Sequence, residues 1–339
     1  MRIQRVYIPE KENAFLAEQE LDETLKPTEA LIKTHYSAIS AGTECARYLG
    51  WEGDIFPTAS GSANIGEILA VGSEVKNFAV GDLVTSFTNH DSHVKCDTLP
   101  LDYGYNGHRI GVKISPSVFG PEVALAYHFA LGMAAIRESG VTLGDDVLVI
   151  GGGLIGNAAA QLFKCAGAFV MLADLSEPRL AIAKTCGITE VINSSKVNLA
   201  EAVKAWTKGR MLHIGVLALE GAHLLPELVP LTRNRGQIIL LGGYRLSHEV
   251  DIHPVLRQLQ KGSRRLLALS GPHYPIPELP YHRYSTLGHF RQIMALMEDG
   301  RLRAKPLVQL VLPQDCQQVF RDLIHNKDKY LGAVFNWTK

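Results

Sequence analysis

The sequence predicts an α/β chain in two parts, a doubly wound parallel sheet and a separate, irregular β-rich part. Three observations carry this expectation. Strand and helix patterns alternate between about residues 146 and 270, a glycine-punctuated turn joins the first strand of that series to its first helix, and the first 120 residues hold short apolar runs broken by turn residues. Strand and helix repeating at such intervals build a parallel sheet with helices on its faces.

The turn is the most specific element. Val147-Leu148-Val149-Ile150 is apolar without polar alternation, which suits a strand buried on both faces. Gly151, Gly153 and Gly156 then occupy the spacing GxGxxG around Leu154 and Ile155. Glycines so placed allow a tight turn, close approach of a pyrophosphate, and close packing of helix on strand. The helix Asn157–Ala166 would turn free backbone N–H groups and the positive end of its dipole toward phosphates. A second apolar strand, Phe169–Asp174, ends in a carboxylate 18 residues past Gly156. Such a carboxylate accepts hydrogen bonds from adenosine ribose hydroxyls and repels a 2′-phosphate, so NAD(H) rather than NADP(H) is expected. Leu175 follows it, and Arg179 stands near enough in sequence to soften that repulsion.

The alternation continues with a helix over Pro178–Cys186, a strand at Glu190–Ile192, a helix over Leu199–Thr207 and strands at His213–Leu219, Gln237–Leu241 and Arg265–Ser270. Gly242 and Gly243 stop the second of these three strands. In the first part, Leu31–Ser37, Ile65–Val71 and Asp82–Phe87 read as strands. Pro121 opens a helical stretch ending near Gly140, the proline-rich segment 271–280 breaks the pattern, and a helix over Gly288–Asp299 and a strand at Ala333–Trp337 close the chain.

Composition narrows the partners. The 339 residues carry 34 basic and 34 acidic side chains, with no basic run, so neither nucleic acid nor an anionic membrane surface is expected. No apolar segment reaches the length of a membrane span and the N-terminus lacks a leader pattern, which leads us to expect a cytoplasmic protein. Five scattered cysteines fit free thiols rather than a disulfide framework.

The order of these pieces resembles the medium-chain dehydrogenase/reductase superfamily. Gly66-Glu67-Ile68-Leu69-Ala70-Val71-Gly72, Val80-Gly81-Asp82-Leu83-Val84, the glycine turn with Asp174-Leu175-Ser176-Glu177-Pro178-Arg179-Leu180, and Gly236–Gly242 carry the resemblance over nearly the whole chain. It implies a nucleotide-binding Rossmann domain at 131–270 and a discontinuous GroES-like catalytic domain made of 1–130 and 271–339. It also implies an oxidoreductase that moves a hydride between NAD and a small-molecule substrate, and a homodimer formed through the strand Gln237–Leu241.

Many members of that superfamily hold a catalytic zinc. Its ligand positions fall here on Ala41, Ser62, Ala63 and Phe129, none of which supplies the thiolate, imidazole or carboxylate that zinc prefers. The four cysteines of a second, structural zinc are reduced to Cys96. A zinc-independent enzyme with no metal ligands is therefore expected. The run Tyr36–Glu44 is similar to a zinc-lacking branch that includes the bacteriochlorophyllide hydroxyethyl dehydrogenases. His90, His93 and His108 match no metal spacing and read as scattered surface histidines.

Without the metal, another group has to handle the proton of the alcohol. The resemblance places Thr43 at the superfamily's proton-relay hydroxyl, with Ala46 where a histidine often continues the relay. His128, preceded by Tyr127, neighbours Phe129 and titrates near neutral pH, so it is the candidate general base in oxidation or acid in reduction. Glu44 and Ser40 are weaker candidates on what reads as the same loop, and Glu67 reads as structural. Oxidation of a secondary alcohol is the favoured reaction. Reduction of an activated alkene or quinone, and a non-catalytic NAD(H) sensor, are the alternatives. Trp51, Tyr103, Tyr105, Tyr274, Tyr281 and Tyr284 suggest a pocket for a flat or polar ligand, and the substrate itself is not specified.

Overall fold

The computed structural model describes residues 1–51, 53, 56–99, 108–245, 248–269 and 273–339, which fall into two compact units. The first comprises residues 1–127, 274–299 and 307–339. Its chain opens with β1 (Arg2–Glu10) and β2 (Asn13–Glu20), an antiparallel hairpin. There follow β3 (Glu29–Ala38), α1 (Ala41–Tyr48), β4 (Thr58–Ala59), β5 (Ala63–Val71), β6 (Leu83–Phe87), β7 (His93–Asp97) and β8 (Arg109–Lys113). The short β4 adds to the free side of β1.

Strand order β3-β5-β6-β8-β7 closes on itself, because β7 also pairs with β3. Closure leaves none of these five strands with two open sides and encloses Ala30, Ile32, Ile68, Val84, Val94, Cys96 and Ile110. Those residues alternate along their strands, as one buried face requires. After Tyr127 the chain leaves this unit.

The second unit, residues 128–273 and 300–306, is the doubly wound sheet. α2 (Ala126–Ser139) leads into it, followed by β9 (Asp146–Ile150), α3 (Leu154–Cys165), β10 (Phe169–Asp174), α4 (Glu177–Thr185), β11 (Glu190–Asn193), α5 (Leu199–Trp206), β12 (Leu212–Leu217), α6 (Leu225–Leu231), β13 (Thr232–Leu240), α7 (Ile252–Gly262) and β14 (Arg265–Ala268). All six strands are parallel, in the order β11-β10-β9-β12-β13-β14. β9 is buried along its whole length, which is why its sequence is uniformly apolar after Asp146. The strand order reverses between β9 and β12, and the glycine turn leaves the carboxyl end of β9 at that point, where ligands of such sheets bind.

The remaining chain returns to the first unit as α8 (Thr286–Glu298), β15 (Val308–Val311), α9 (Cys316–His325) and β16 (Gly332–Asn336). β16 pairs antiparallel with β3 and parallel with β15. Between α8 and β15, residues 300–306 pack with the second unit, where the side-chain oxygen of Gln161 accepts from the Arg303 amide at 2.7 Å.

Two expectations are corrected here. α1 is helical where a loop is expected, because Ser40 starts a turn whose backbone bond to Glu44 closes at 2.8 Å. The strand around Gln237–Leu241 cannot pair with a second copy, because β13 already has β12 on one side and β14 on the other. The free edge at that end of the sheet is β14. Among the described residues no helix is long and apolar enough to cross a membrane.

Candidate functional site

The nucleotide end of the site is built in the second unit from the loop between β9 and α3. Gly151 has φ +104°, a left-handed conformation that favours glycine. A Cβ on Gly156 would stand 1.8 Å from the Gly151 carbonyl oxygen, so only glycine lets α3 pack this close. A Cβ on Gly153 would meet nothing within 4 Å, which leaves the N-terminus of α3 open to an incoming group. Gly153 is the N-cap, and no side chain caps the amides that follow it. Leu154 and Ile155 form the first turn of α3. A twelve-residue helix opening beside glycines suits a pyrophosphate.

Asp174 ends β10 beside this loop. One carboxylate oxygen accepts from the Gly152 amide at 2.6 Å, the other from the Ser176 amide at 2.8 Å, and Arg179 Nη1 lies 3.8 Å away. The carboxylate is thus fixed beside the glycine turn, with a guanidinium next to it. Leu175 beyond it is exposed. Gly242 packs so tightly on the Leu219 backbone that a Cβ would come within 2.1 Å of that carbonyl oxygen.

In the first unit, a cavity of about 280 Å³ is lined by Ser62, Phe87, Thr88, Asn89, His108 and Tyr127, along with Gly61. Burial, followed by the nearby Glu44 charge, pushes the Tyr127 phenol above its usual range. Burial lowers His108 from the usual imidazole value. Both side chains are therefore uncharged near neutral pH. The Tyr127 ring meets Phe87 edge-on at 6.3 Å, and Phe87 stacks on Phe290 at 5.5 Å.

The walls of this cavity are tied together by a buried polar cluster. Glu44 accepts from the Ser40 amide at 2.7 Å and from the Ser60 hydroxyl, and meets His90 Nε2 at 2.9 Å. His90 Nδ1 lies 2.8 Å from Ser37 Oγ, which also accepts from the Trp337 indole at 2.9 Å. Burial penalises the Glu44 charge, but attraction to His90 and the hydrogen bonds from His90, Ser60 and Ser40 outweigh it, holding the carboxyl below its ordinary value. The cluster joins α1, the segment before β5 and the segment after β6.

The residues singled out from sequence fall as follows. Gly151, Gly153, Leu154, Ile155, Gly156, Asp174, Leu175 and Arg179 gather around one turn. Thr43 lies in the first turn of α1, partly buried and next to Glu44. Tyr127 lines the cavity. His128 is 2% exposed and belongs to the second unit. His90 is fully buried against Glu44 and Ser37, which corrects its reading as a surface histidine. Tyr103 and Tyr105 lie outside the described residues. Sequence reasoning missed Asn64, Ser86 and the Glu44–His90 pair. A usable signal was present for the first two, since Ser62 and Asn64, and Ser86 and Thr88, are polar residues two positions apart in and beside β5 and β6, so that each pair shares a sheet face.

Comparison with known proteins accords with this geometry. Residues 26–131 match the family model described as an alcohol dehydrogenase GroES-like domain, and residues 155–272 match that of a zinc-binding dehydrogenase. The chain is 25% identical over 316 residues to L-threonine 3-dehydrogenase of Chelativorans sp. (strain BNC1), covering 81% of this chain and 89% of that protein. It is 29% identical over 252 residues to sorbitol dehydrogenase of Halalkalibacterium halodurans, covering 67% and 73%. Its fold matches that of 2R,3R-butanediol dehydrogenase from Bacillus subtilis with a TM-score of 0.79 at 19% identity, over 98% of this chain and 99% of the other. Solved structures with the same fold include complexes with NADH and with NADP.

These similarities overturn the expectation of a zinc-independent enzyme. The match over the nucleotide-binding part is to zinc-binding dehydrogenases, and the relatives named above oxidise alcohols. Ala41, Ser62, Ala63 and Phe129 offer no zinc donors. Among the described residues no group of three or more His, Cys, Asp or Glu is arranged to hold a metal ion. The glycine turn on a doubly wound sheet, the closed β unit and both family matches agree: the chain belongs to the medium-chain dehydrogenase/reductase superfamily and is an oxidoreductase of the alcohol dehydrogenase-like kind.

Proposed function

We propose that this protein oxidises a secondary alcohol of a small metabolite, or reduces the matching ketone, with NAD(H) as the hydride carrier. The observation that supports the cofactor choice is Asp174, held by the Gly152 and Ser176 amides at the end of β10 beside the glycine turn. Its charge favours a free 2′-hydroxyl over a 2′-phosphate. Arg179 Nη1 stands 3.8 Å from that carboxylate.

In the oxidation, the carbinol C–H pair leaves as hydride to the nicotinamide and the hydroxyl proton goes to a protein group or to water. Burial keeps the Tyr127 phenol protonated, so it would hold the substrate oxygen by donating to it. Thr43 and His128 are the candidates for handling that proton. Named relatives that dehydrogenate threonine and sorbitol support alcohol chemistry over alkene or quinone reduction. We assign the protein to the cytoplasm and, with β14 as the free sheet edge, to a homodimer paired along that strand.

The test is a fluorescence titration of the purified protein with NADH and with NADPH, followed by turnover of secondary alcohols with NAD. Tighter binding of NADH and NAD-linked turnover are expected. Equal affinity for NADPH would sink the cofactor assignment, and the absence of alcohol turnover would sink the reaction.

A further inference from the structure

The first unit contains a row of buried polar groups that the proposed reaction does not use. Asn64 and Ser86 face each other across β5 and β6, as directly paired residues of an antiparallel ladder. Side chains two positions apart share a sheet face, so Ser62 and Thr88 extend the same row toward one end. Asn64 donates to Thr88 Oγ1 at 2.5 Å and to the Asn89 carbonyl at 2.6 Å. Its own Oδ1 has no partner, and neither do Ser86 Oγ and Ser62 Oγ, although all three atoms are buried. Asn64 is 2% and Ser86 3% exposed.

Buried polar atoms without partners are costly, and three on one sheet face call for a ligand or a water. They line a space of about 10 Å³ that shares Ser62, Phe87 and Tyr127 with the 280 Å³ cavity. A space of that size admits one oxygen atom, on the order of a single water. Over it lie Val123, Ala124 and Phe290, which contribute no polar side-chain atom. Among the described residues lining the two spaces, no Asp, Glu, Lys or Arg appears. An ammonium or carboxylate brought into them would lose hydration without gaining a counter-charge.

We propose that the substrate is an uncharged compound with oxygen on adjacent carbons, a vicinal diol or the matching hydroxyketone, whose second oxygen sits against Ser62, Asn64 and Ser86. This rests on the alcohol-oxidising reading above. The reacting oxygen occupies the larger cavity near Tyr127, and the neighbouring oxygen replaces one water in the smaller space. Ser62 and Ser86 can donate or accept there, whereas Asn64 Oδ1 can only accept, so a hydroxyl suits the site better than a carbonyl. A β-hydroxy amino acid carries two charges next to its hydroxyl and is excluded by the uncharged lining.

The experiment compares kcat/KM with NAD for a 1,2-diol, the mono-alcohol of equal chain length and a β-hydroxy amino acid, on the unmodified protein and on Ser86→Ala. The diol should exceed the mono-alcohol by about tenfold or more, and Ser86→Ala should lower the diol value by roughly three- to tenfold, the loss of one hydrogen bond, with the mono-alcohol unchanged. Equal use of diol and mono-alcohol, an equal effect of the variant on both, or preference for the amino acid would each overturn the proposal while leaving alcohol oxidation in place. Ligand-detected NMR of the diol on the cofactor-free protein and on Ser86→Ala provides a readout that needs no turnover. Binding weakened by the variant, without turnover, would support the diol site and sink the reaction. No binding and no turnover would overturn both.

Discussion

Replacing Asp174 with alanine should reverse the cofactor preference, and its size can be worked from the geometry. The carboxylate would read the adenosine ribose through charge-assisted hydrogen bonds, each with a net value of about 1.5–3 kcal/mol. Losing one such bond corresponds to roughly 10- to 100-fold in affinity for NADH. With NADPH the sign reverses. A 2′-phosphate about 5 Å from a carboxylate at a partly buried site, with an effective dielectric near 20, is repelled by about 3 kcal/mol per unit charge, and screening reduces this. Removing the carboxylate also releases Arg179, now 3.8 Å from it, to meet the phosphate. Together these terms move the ratio of the NADH to the NADPH dissociation constant by about 10³-fold. The assay is quenching or energy transfer on titration of each cofactor. Because both oxygens of Asp174 hold backbone amides, Gly152 and Ser176 lose acceptors, so thermal unfolding without cofactor should also drop. A drop of about 1–3 kcal/mol would lower the midpoint by several degrees in a unit of this size. A ratio unchanged within about threefold in a folded variant would refute the ribose assignment, since that is under 1 kcal/mol.

Gly153→Ala and Gly156→Ala should fail differently. The first adds a methyl into open space and should keep the unfolding midpoint while weakening cofactor binding, and the second forces a Cβ to 1.8 Å from the Gly151 oxygen and should yield little folded protein, as circular dichroism would show. His128→Ala should slow the hydride-transfer step about 100-fold if that imidazole is the acid–base group, and unchanged single-turnover rates in a folded variant would remove it from the reaction. Glu44 has a folded-state pKa below its ordinary 4.5, so it stabilises the fold above that pH, and the contribution fades as pH falls through the lower folded value. Glu44→Gln should therefore be less stable than the parent at pH 7, with the gap closing toward acid in denaturant titrations, whereas a gap that does not vary with pH would deny the ion pair its role. Leu266→Asp on β14, where the side chain is 40% exposed, tests the proposed dimer, since sedimentation should report a dimer for the parent and a monomer for the variant without loss of helix content.

What was legible in the sequence was whatever local physics fixes by itself. β9 shows as an unbroken apolar run because both of its faces are covered, and the turn after it shows as three glycines because Gly151 needs a left-handed backbone and Gly156 a side chain without a Cβ. Asp174 was found at its spacing because a parallel strand places its last residue beside that turn. α1 stayed hidden because its fold depends on distant groups. Ser60 and His90 bind Glu44 from 16 and 46 residues away, and neither shows in the run Ala41-Gly42-Thr43-Glu44, which reads as a loop. His90 looks like any surface histidine until Ser37, Glu44 and Trp337 close around it. The substrate pocket falls between these cases: polar residues at alternate strand positions are visible from sequence, but only the register of Asn64 against Ser86 shows that they converge. The proposed diol site rests on that convergence, and the proposed exclusion of a charged amino acid rests on a lining that, among the described residues, holds no Asp, Glu, Lys or Arg.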